Sequence, residues 1–517
     1  MAEKTLRELK ATFARYDHNP SSAQWEALSD LARRLESAAD GTAQPLNFLS
    51  SLDPGIGKTQ TIIHFVKALL ASPKHEGVSV LICLGRLAEI KSYVGDMDLD
   101  EGDYAVLVAE TAENIGLNGL GTDRDKARVL FTTQQMLESR VKRQGSFAAV
   151  SEFWFDGKPR QVRLWDESCL PARPLTVDVT EIEGLTECAR KIPAFLELLD
   201  KLIGEIKAAK SGECVSIPDF EMESDIPVAS ALGLYVDEKP AKQNILRDLY
   251  LLQGNTVTVS RDGSNRTVIH YEDTLPDDLK PVIICDASGR VRQTYPHWAQ
   301  GRGDLVGLAS APKDYDDLTI HLWKHAGSKT AWNDKAQATE MLRAIVEVVN
   351  SKPNEEFLII HHMVKGSRSI DLPAYVETSA TDPERLHFTH WNSEDCKATN
   401  QFKDVPNIIL AGTLFYPSSY YEALGKLSRA LAPAERLSKQ HRKEIELGEY
   451  AHLILQAVCR GTARKAIGNK SGKADVWIIA TEKSGIPSLL GSIFPRSKTV
   501  PWMPVASTGR VGDAINA

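Results

Sequence analysis

The feature that most constrains the fold is a glycine-containing loop between an apolar run and a helical segment. The loop, residues 51–59, reads SLDPGIGKT and follows the strand-like run LNFLS. The next segment, TIIHFVKALL, is apolar at helical spacing. A strand, a glycine loop and a helix in this order are the parts of a phosphate-binding loop. The helix N-terminus and the backbone N–H groups of such a loop favour a bound anion.

Residues 54–59 are the predicted nucleotide contacts, and their chemistry suits ATP with Mg²⁺. The lysine amine reaches the β- and γ-phosphates, and the threonine hydroxyl is a magnesium ligand. Leu52 stands where the pattern G-x-x-x-x-G-K-[ST] has its first glycine. The alternative interpretation is a chance Gly-Lys-Thr at a helix start. The predicted cofactor-binding residues are Pro54, Gly55, Ile56, Gly57, Lys58 and Thr59.

Two adjacent carboxylates, Asp166 and Glu167, end a later apolar run, VRLW. A phosphate loop needs acids of this kind at the end of a neighbouring strand. We predict that Asp166 holds Mg²⁺ and that Glu167 polarises the attacking water. Taken alone, the pair is more typical of a solvated turn. Together with the phosphate loop, it favours hydrolysis, with Lys58 as the third catalytic residue.

Short apolar runs alternate with helical segments along most of the chain. The runs are LNFLS, VSVLICL, ARVLFT and VRLWDE in the first half, and LTIHLW, FLII, NIILAG and VWII in the second. This alternation predicts an α/β protein with parallel sheets and helices on both faces. Helical spacing also predicts two leading helices within 1–40. We therefore expect N-terminal helices at 1–40, α/β domains at 41–315 and 316–500, and a tail at 501–517.

The stretch 170–280 interrupts the first α/β series and is a predicted, mainly helical insertion. Between 180 and 212 the apolar residues follow one helical stripe that ends at Gly212, which predicts an inserted helix. The runs TVTVS and TVIHY flank Asp262-Gly263, which predicts a β-hairpin. We expect any protein partner to bind through this insertion.

Composition restricts the cellular setting more than the activity. With 517 residues the chain exceeds what one core usually organises, and its seven scattered cysteines suggest neither a disulfide framework nor a zinc site. No apolar segment resembles a signal peptide or a membrane span, so we expect a cytoplasmic protein. The net charge of -8 gives no general attraction to nucleic acid. A basic groove can still bind it, because binding follows local phosphate contacts.

The order of the motifs provides a more specific identification. Asp166-Glu167-Ser168 resembles the Walker B element of superfamily 2 helicases and related DEAD/DEAH-type ATPases. Asp286-Ala287-Ser288 resembles the family's motif that couples the two domains. Three further stretches resemble its nucleic-acid contact motifs, and the residues they imply are Gly85, Arg86, Thr132, Thr133 and Thr399. Thr132 and Gln135 also predict a capping box at a helix start; a well-capped helix without a ligand is the alternative.

The stretch 456–464, QAVCRGTAR, resembles the sixth helicase motif. The resemblance implies an arginine finger, and Arg460 is the better candidate with Arg464 as the second. An arginine suits this role because its guanidinium is always charged and can stabilise the transferring phosphoryl group. Cys459 stands where the family motif has glycine.

The resemblance implies two tandem RecA-like domains with ATP and Mg²⁺ in the cleft between them. The expected function is an ATP-dependent helicase or translocase acting on DNA or RNA, on a segment that we expect to be single-stranded. Two other functions remain open. One is an ATP-dependent switch that remodels or recruits proteins without unwinding strands, and the other is a scaffold that binds ATP without turnover. The choice between DNA and RNA also stays open, because it depends on geometry at the bound strand.

Overall fold

The computed structural model describes residues 1–111, 116–363, 370–391, 393 and 401–504. The chain begins with two helices, α1 (Ala2–Arg15) and α2 (Ser22–Ala39), which confirms the two leading helices. A complete capping box starts α2, since Ser21 and Gln24 bond each other's backbone N–H groups. Apolar residues of both helices pack against the phosphate-loop segment, with Phe13, Leu28 and Ile56 in one cluster.

A seven-stranded parallel sheet organises the first α/β unit, in the order β13-β1-β12-β7-β2-β4-β3. Both of its faces carry apolar clusters, as expected for a sheet covered by helices on both sides. The elements of the first unit before the insertion are β1 (Asn47–Ser50), α3 (Lys58–Leu70), β2 (Val80–Leu84), α4 (Leu87–Met97), β3 (Tyr104–Leu107), β4 (Val129–Thr133), α5 (Gln134–Gln144), β5 (Trp154–Phe155), β6 (Lys158–Pro159) and β7 (Val162–Asp166).

The insertion contains a four-stranded antiparallel sheet, β8-β11-β10-β9, beside six helices. The prediction of one helix over 180–212 is wrong, because Gly184 ends a first short helix and Pro193 begins the longest one. The predicted hairpin is confirmed as β10 and β11. The elements are β8 (Ala172–Asp178), α6 (Val179–Glu183), α7 (Thr186–Ala189), α8 (Pro193–Ala208), β9 (Cys214–Ser216), α9 (Phe220–Ser224), α10 (Val228–Gly233), α11 (Pro240–Leu252), β10 (Thr256–Asp262) and β11 (Asn265–Asp273).

The chain then returns to the first sheet and continues into a second, six-stranded parallel sheet in the order β16-β15-β17-β20-β14-β21. The first unit is completed by β12 (Val282–Cys285), α12 (Thr294–Gly301) and β13 (Leu305–Gly307). The second comprises β14 (Leu318–Trp323), α13 (Lys329–Asn333), α14 (Lys335–Ser351), β15 (Phe357–His361), α15 (Leu372–Ser379), β16 (Leu386–His390), β17 (Asn407–Leu410), α16 (Ser418–Arg429), α17 (Lys439–Val458), β18 (Ala466–Ile467), β19 (Lys470–Ser471), β20 (Ala474–Ile479), α18 (Ile486–Ile493) and β21 (Lys498–Pro501).

The end of the second unit differs from the predicted tail at 501–517. Pro501 pairs with Leu322 in the sheet, and the backbone N–H of the buried Trp502 donates to the Leu322 carbonyl. These two residues therefore belong to the second unit. Among the residues that the structure describes, no helix has the length and apolar character needed to cross a bilayer.

The second unit touches both the insertion and the first unit through α16. The N-terminal turn of α16 is hydrogen-bonded to the hairpin of the insertion. Asp262, at the end of β10, accepts one bond from the backbone N–H of Ser419 at 2.9 Å and another from the Ser419 hydroxyl. On another side, α16 packs against α12. Gly301 makes this close approach possible, since a Cβ there would lie 2.3 Å from the Cα of Arg429. Contacts on both sides of α16 thus join the two α/β units and the insertion.

Candidate nucleotide-binding site

A cavity of about 480 Å³ lies between the two α/β units. The first unit contributes the phosphate loop, one side of α4 and the end of β7. The second unit contributes three residues at and after the end of α17: Gln456, Cys459 and Arg464. Of the predicted cofactor-binding residues, all but Ile56 line the cavity. The Ile56 side chain is instead buried against the N-terminal helices.

Two glycines give the phosphate loop its shape. Gly55 and Gly57 have φ angles of 86° and 123°, a region that other residues rarely adopt. A Cβ on Gly55 would lie 1.9 Å from the carbonyl oxygen of Arg464, and one on Gly57 would lie 2.3 Å from the Phe13 ring. The loop is therefore packed between the N-terminal helices and the second unit. It leads directly into α3, which begins at Lys58.

The Lys58 amine points back into the loop. It donates hydrogen bonds to the carbonyl oxygens of Leu52 and Asp53, and its side chain is buried. Burial lowers the pKa of Lys58, while the negative charges of nearby Asp166 and Asp53 oppose that shift. An amine inside a loop of backbone donors is suited to phosphate oxygens, which would replace the two carbonyl partners.

Asp53 links the phosphate loop to the second unit, a role that no sequence motif indicated. Its fully buried carboxylate accepts bonds from Arg290 at 2.6 and 3.1 Å, from the Lys313 N–H at 2.9 Å and from the Tyr315 hydroxyl at 2.9 Å. Arg290 also donates to two carbonyls at the end of α18. The Lys313 amine donates to the carbonyl of Arg464 at 2.8 Å. Asp53 is therefore linked to the second unit through Arg290 and Lys313.

The predicted acids lie together at the end of β7. The Tyr93 hydroxyl donates to Asp166 at 2.5 Å, and Glu167 has a φ of 82°, which is unusual for a residue other than glycine. Burial raises the pKa of both carboxyls, and the charge of Asp166 raises that of Glu167 further. A divalent cation would lower both values again. The Thr59 hydroxyl and the two carboxyls form an all-oxygen donor set that fits Mg²⁺.

Glu89 is a further acid of the cavity, and no sequence motif indicated it. It lies on α4, and its Oε2 is buried without a hydrogen-bond partner among the described residues. Burial and the nearby charges of Glu167 and Asp166 raise the pKa of Glu89 to about 8. Its position three residues after Arg86, at the start of a helix, was the one available signal.

The two arginines of the 456–464 stretch occupy different places. Arg464 lines the cavity that contains the phosphate loop, whereas the buried Arg460 lines an adjoining cavity of about 380 Å³. Both positive charges act on Glu167 and favour its ionised form. Glu167 itself lines both cavities. The motif implied Arg460 as the better candidate for the arginine finger and Arg464 as the second. In the structure it is Arg464 that lines the cavity with the phosphate loop.

The residues predicted to contact nucleic acid differ in where the structure places them. Gly85 and Arg86 line the adjoining cavity. The Thr132 side chain is fully buried and donates to the Leu107 carbonyl at 2.8 Å, so it presents no hydroxyl to a ligand in this structure. The predicted Thr132–Gln135 capping box is wrong, because Thr133 is the N-cap of α5 and accepts from Met136 N–H. Thr399 lies outside the described residues.

Comparison with known proteins identifies the fold. No protein-family model and no curated protein sequence matches this chain. The solved apo structure of XPD has a TM-score of 0.51 at 11% identity, covering 91% of this chain and 99% of its own. S. tokodaii Xpd4 has a TM-score of 0.50 at 12% identity, with the same coverage. The chain therefore has the fold of these solved structures, with two RecA-like domains built on parallel sheets, which confirms the predicted fold class.

Proposed function

We propose that this chain, with its superfamily 2 helicase-like fold, hydrolyses ATP in the cavity between its two RecA-like domains and uses the reaction to act on nucleic acid. One observation carries the proposal. The phosphate loop and the two strand-end acids share a single cavity with Arg464 of the second domain. ATP turnover at such a site is sensitive to domain closure, because one charged group comes from the second domain.

Lys58 binds the β- and γ-phosphates in this proposal, and Thr59 and Asp166 hold Mg²⁺. The ion neutralises charge on the phosphate oxygens when bound. Glu167 orients a water molecule and accepts its proton as the water oxygen bonds to the γ-phosphorus and the bond to the bridging oxygen of ADP breaks. Glu167 must be ionised to do this. The positive charges of Arg460 and Arg464 favour that form.

The positions of Arg460 and Arg464 support different roles from those that the motif implied. We assign the contact with the transferring phosphoryl group to Arg464, because it lines the nucleotide cavity. Arg460 lies beside Glu167 in the adjoining cavity and acts on the acid. A guanidinium can fill either role, since it stays charged when buried.

The adjoining cavity supports the nucleic-acid part of the proposal. Gly85, Arg86 and the amides of Gln134 and Gln135 line it, together with Tyr416 and other aromatic side chains. A guanidinium and exposed amides suit backbone phosphate, and aromatic rings suit bases. Gln134 also donates to the Asp166 carbonyl at 2.6 Å, so this wall is in direct contact with the acids. We propose that a single strand of DNA or RNA binds along this side.

The test combines ATP turnover with displacement of a labelled strand from a partial duplex. Lys58→Ala should abolish ATP binding and both activities. Glu167→Gln should retain ATP binding and lose turnover, and Arg464→Ala should reduce kcat by about 10³-fold or more. Lys74→Ala is the matched control, because this lysine is 73% exposed and lies in a surface ion pair. Turnover in Lys58→Ala equal to that of the wild type would refute the assignment of the site.

Strand displacement and turnover distinguish the remaining functions. Displacement that requires ATP and Glu167 supports a helicase. Turnover with neither displacement nor response to nucleic acid supports an ATP-dependent protein switch. ATP binding without turnover supports a scaffold.

A further inference from the structure

Arg292 joins the two domains through a buried ion pair outside the nucleotide cavity. Its guanidinium is 5% exposed and donates to both carboxylate oxygens of Glu449, at 2.6 and 3.0 Å. A third N–H donates to the Ser168 hydroxyl. Arg292 belongs to the first domain and Glu449 to α17 of the second. The paired fork geometry fixes orientation as well as distance, which an isolated lysine contact would not do.

The partners of Arg292 are attached to the proposed catalytic machinery. Ser168 directly follows Glu167, whose backbone is already strained by its φ of 82°. Glu449 lies two helical turns before Gln456, which lines the nucleotide cavity from the same helix. One arginine thus connects the end of the strand that carries the acids to the helix that leads to Arg460 and Arg464.

A second contact runs parallel to this ion pair. The Ser288 hydroxyl donates to Asp286 at 2.7 Å and lies 2.7 Å from Nδ1 of His452, three residues after Glu449. Burial and the Arg292 charge lower the pKa of His452 to about 4, so the ring is neutral at pH 7. Because the serine proton is directed at Asp286, the Nδ1–H of His452 donates to the serine oxygen. Two contacts one turn apart therefore fix how α17 lies against the first domain.

Gly448 permits this close approach. A Cβ at this position would lie 2.5 Å from the backbone nitrogen of Gln293, the residue after Arg292. Glycine in the interior of a helix is destabilising by about 1 kcal/mol relative to alanine, so its presence here has a packing reason. The helix backbone and the chain segment that carries Arg292 are in direct contact.

We propose that Arg292 is a positioning residue for ATP hydrolysis, which holds Glu167 and Ser168 against α17 so that the acid and the arginines of the second domain are aligned when the domains are closed. The inference rests on the proposed function and adds to it a residue outside the motifs. Separation of the domains breaks this buried ion pair, so the closed and the open arrangement are two distinct states.

The test is chemical rescue of Arg292→Ala by guanidinium ion. The side chain lines the adjoining cavity, so the vacated space is accessible to a small cation. We expect kcat for ATP to fall on the order of 100-fold, with KM changed much less, since Arg292 does not line the nucleotide cavity. Millimolar guanidinium should restore part of kcat. Glu449→Gln, which keeps the shape of the partner, should also lower kcat but should not respond to guanidinium.

Glu444→Gln is the matched control. Glu444 lies on the same helix and bonds His297 of the first domain at 3.1 Å, but it has no contact with Ser168. Its kcat should stay close to that of the wild type. Interdomain fluorescence energy transfer with Mg²⁺-ATP is measured in parallel, because it reports closure without turnover. Thermal unfolding checks that each variant is folded.

Different results overturn different claims. If the wild type hydrolyses ATP and Glu449→Gln behaves like Glu444→Gln, the positioning role is refuted and the proposed function stands. A loss of kcat in Arg292→Ala that guanidinium does not relieve, with an unchanged kcat in Arg292→Lys, refutes a role for the guanidinium fork. If the wild type shows neither turnover nor nucleotide-dependent energy transfer, both the proposed function and the positioning role are refuted.

Discussion

Replacing Asp53 tests whether the phosphate loop is anchored to the second domain. Asp53→Ala removes the acceptor of four hydrogen bonds, from Arg290, Lys313 and Tyr315. The carboxylate is 0% exposed and the Arg290 side chain is 14% exposed. The substitution therefore leaves a mostly buried guanidinium without its counter-ion, and it also removes the partners of a buried N–H and a buried hydroxyl.

The expected loss of stability follows from this burial. Breaking a buried ion pair by removing one partner costs about 3–5 kcal/mol. For a domain of about 150–250 residues, each kcal/mol lowers Tm by about 2–4 °C. Asp53→Ala should therefore lower the first transition by roughly 6–20 °C. Asp53→Asn keeps one acceptor oxygen and should lower it less.

The assay is thermal unfolding without nucleotide, with Asp123→Ala as the control. Asp123 also binds a basic residue, but both it and its partner Lys126 are more than two-thirds exposed, at 69% and 68%. An exposed pair contributes little to stability, so this substitution should lower Tm by at most about 4 °C. If Asp53→Ala unfolds at the same temperature as Asp123→Ala, the carboxylate does not anchor the loop. In the folded variant we also expect weaker ATP binding, because the loop loses the carboxylate that holds it to Arg290, Lys313 and Tyr315.

Three further predictions concern other parts of the molecule. In the folded protein the pKa of Glu89 is raised to about 8, whereas the ordinary pKa of a glutamate is 4.5, so the wild type loses stability as the pH rises between these two values. The difference in Tm between Glu89→Gln and the wild type should therefore grow in favour of the variant from pH 5 to pH 8, and a constant difference would contradict the raised pKa. Gly57→Ala should weaken ATP binding by about 10-fold or more, since its φ of 123° is strained for alanine and its Cβ would meet Phe13; unchanged binding by titration of a fluorescent analogue would contradict this. Asp262→Ala should speed hydrogen exchange in the first turn of α16, whereas Asp219→Ala, which uncaps α9 within the insertion, should leave α16 unchanged. Equal protection of α16 in both variants would show that the hairpin does not hold it.

Local chemistry made the central part of the site predictable from sequence. The residues of the phosphate loop are consecutive, and the acids directly end an apolar strand. Their types and spacing therefore carry the information. Most inner strands of both sheets were predicted for the same reason, since each is a short apolar run, as in β15 and β17. The edge strands β3, β13, β16 and β21 were not predicted, and the order of the strands also required the structure.

Contacts between distant residues were not predictable in this way. Asp53 and Tyr315 are 262 residues apart, and the phosphate-loop pattern accepts any residue at position 53. Arg292 and Glu449 are separated by 157 residues. In each case the pairing depends on how the second domain lies against the first. No local preference specifies that arrangement, and a lone Arg or Glu in a sequence is usually a surface charge.

Errors in the local predictions have specific physical causes. A single apolar stripe over 180–212 concealed two helix boundaries, because Gly184 and Pro193 outweigh the periodicity. Thr132 is the penultimate residue of β4, so strand geometry turns its side chain inside, and the helix begins one residue later than the capping pattern suggested. Trp502 was assigned to a tail because it lies between Pro501 and Pro504, in a stretch that shows neither strand alternation nor helical spacing.

The most direct test of the central claim is steady-state ATP hydrolysis by the full chain, measured with no polymer, with single-stranded DNA and with single-stranded RNA. Lys58→Ala defines the background. The proposed function predicts turnover that one polymer stimulates strongly, with both the basal and the stimulated rates lost in the variant. Turnover that is indifferent to both polymers, or no turnover above the Lys58→Ala background, would contradict it.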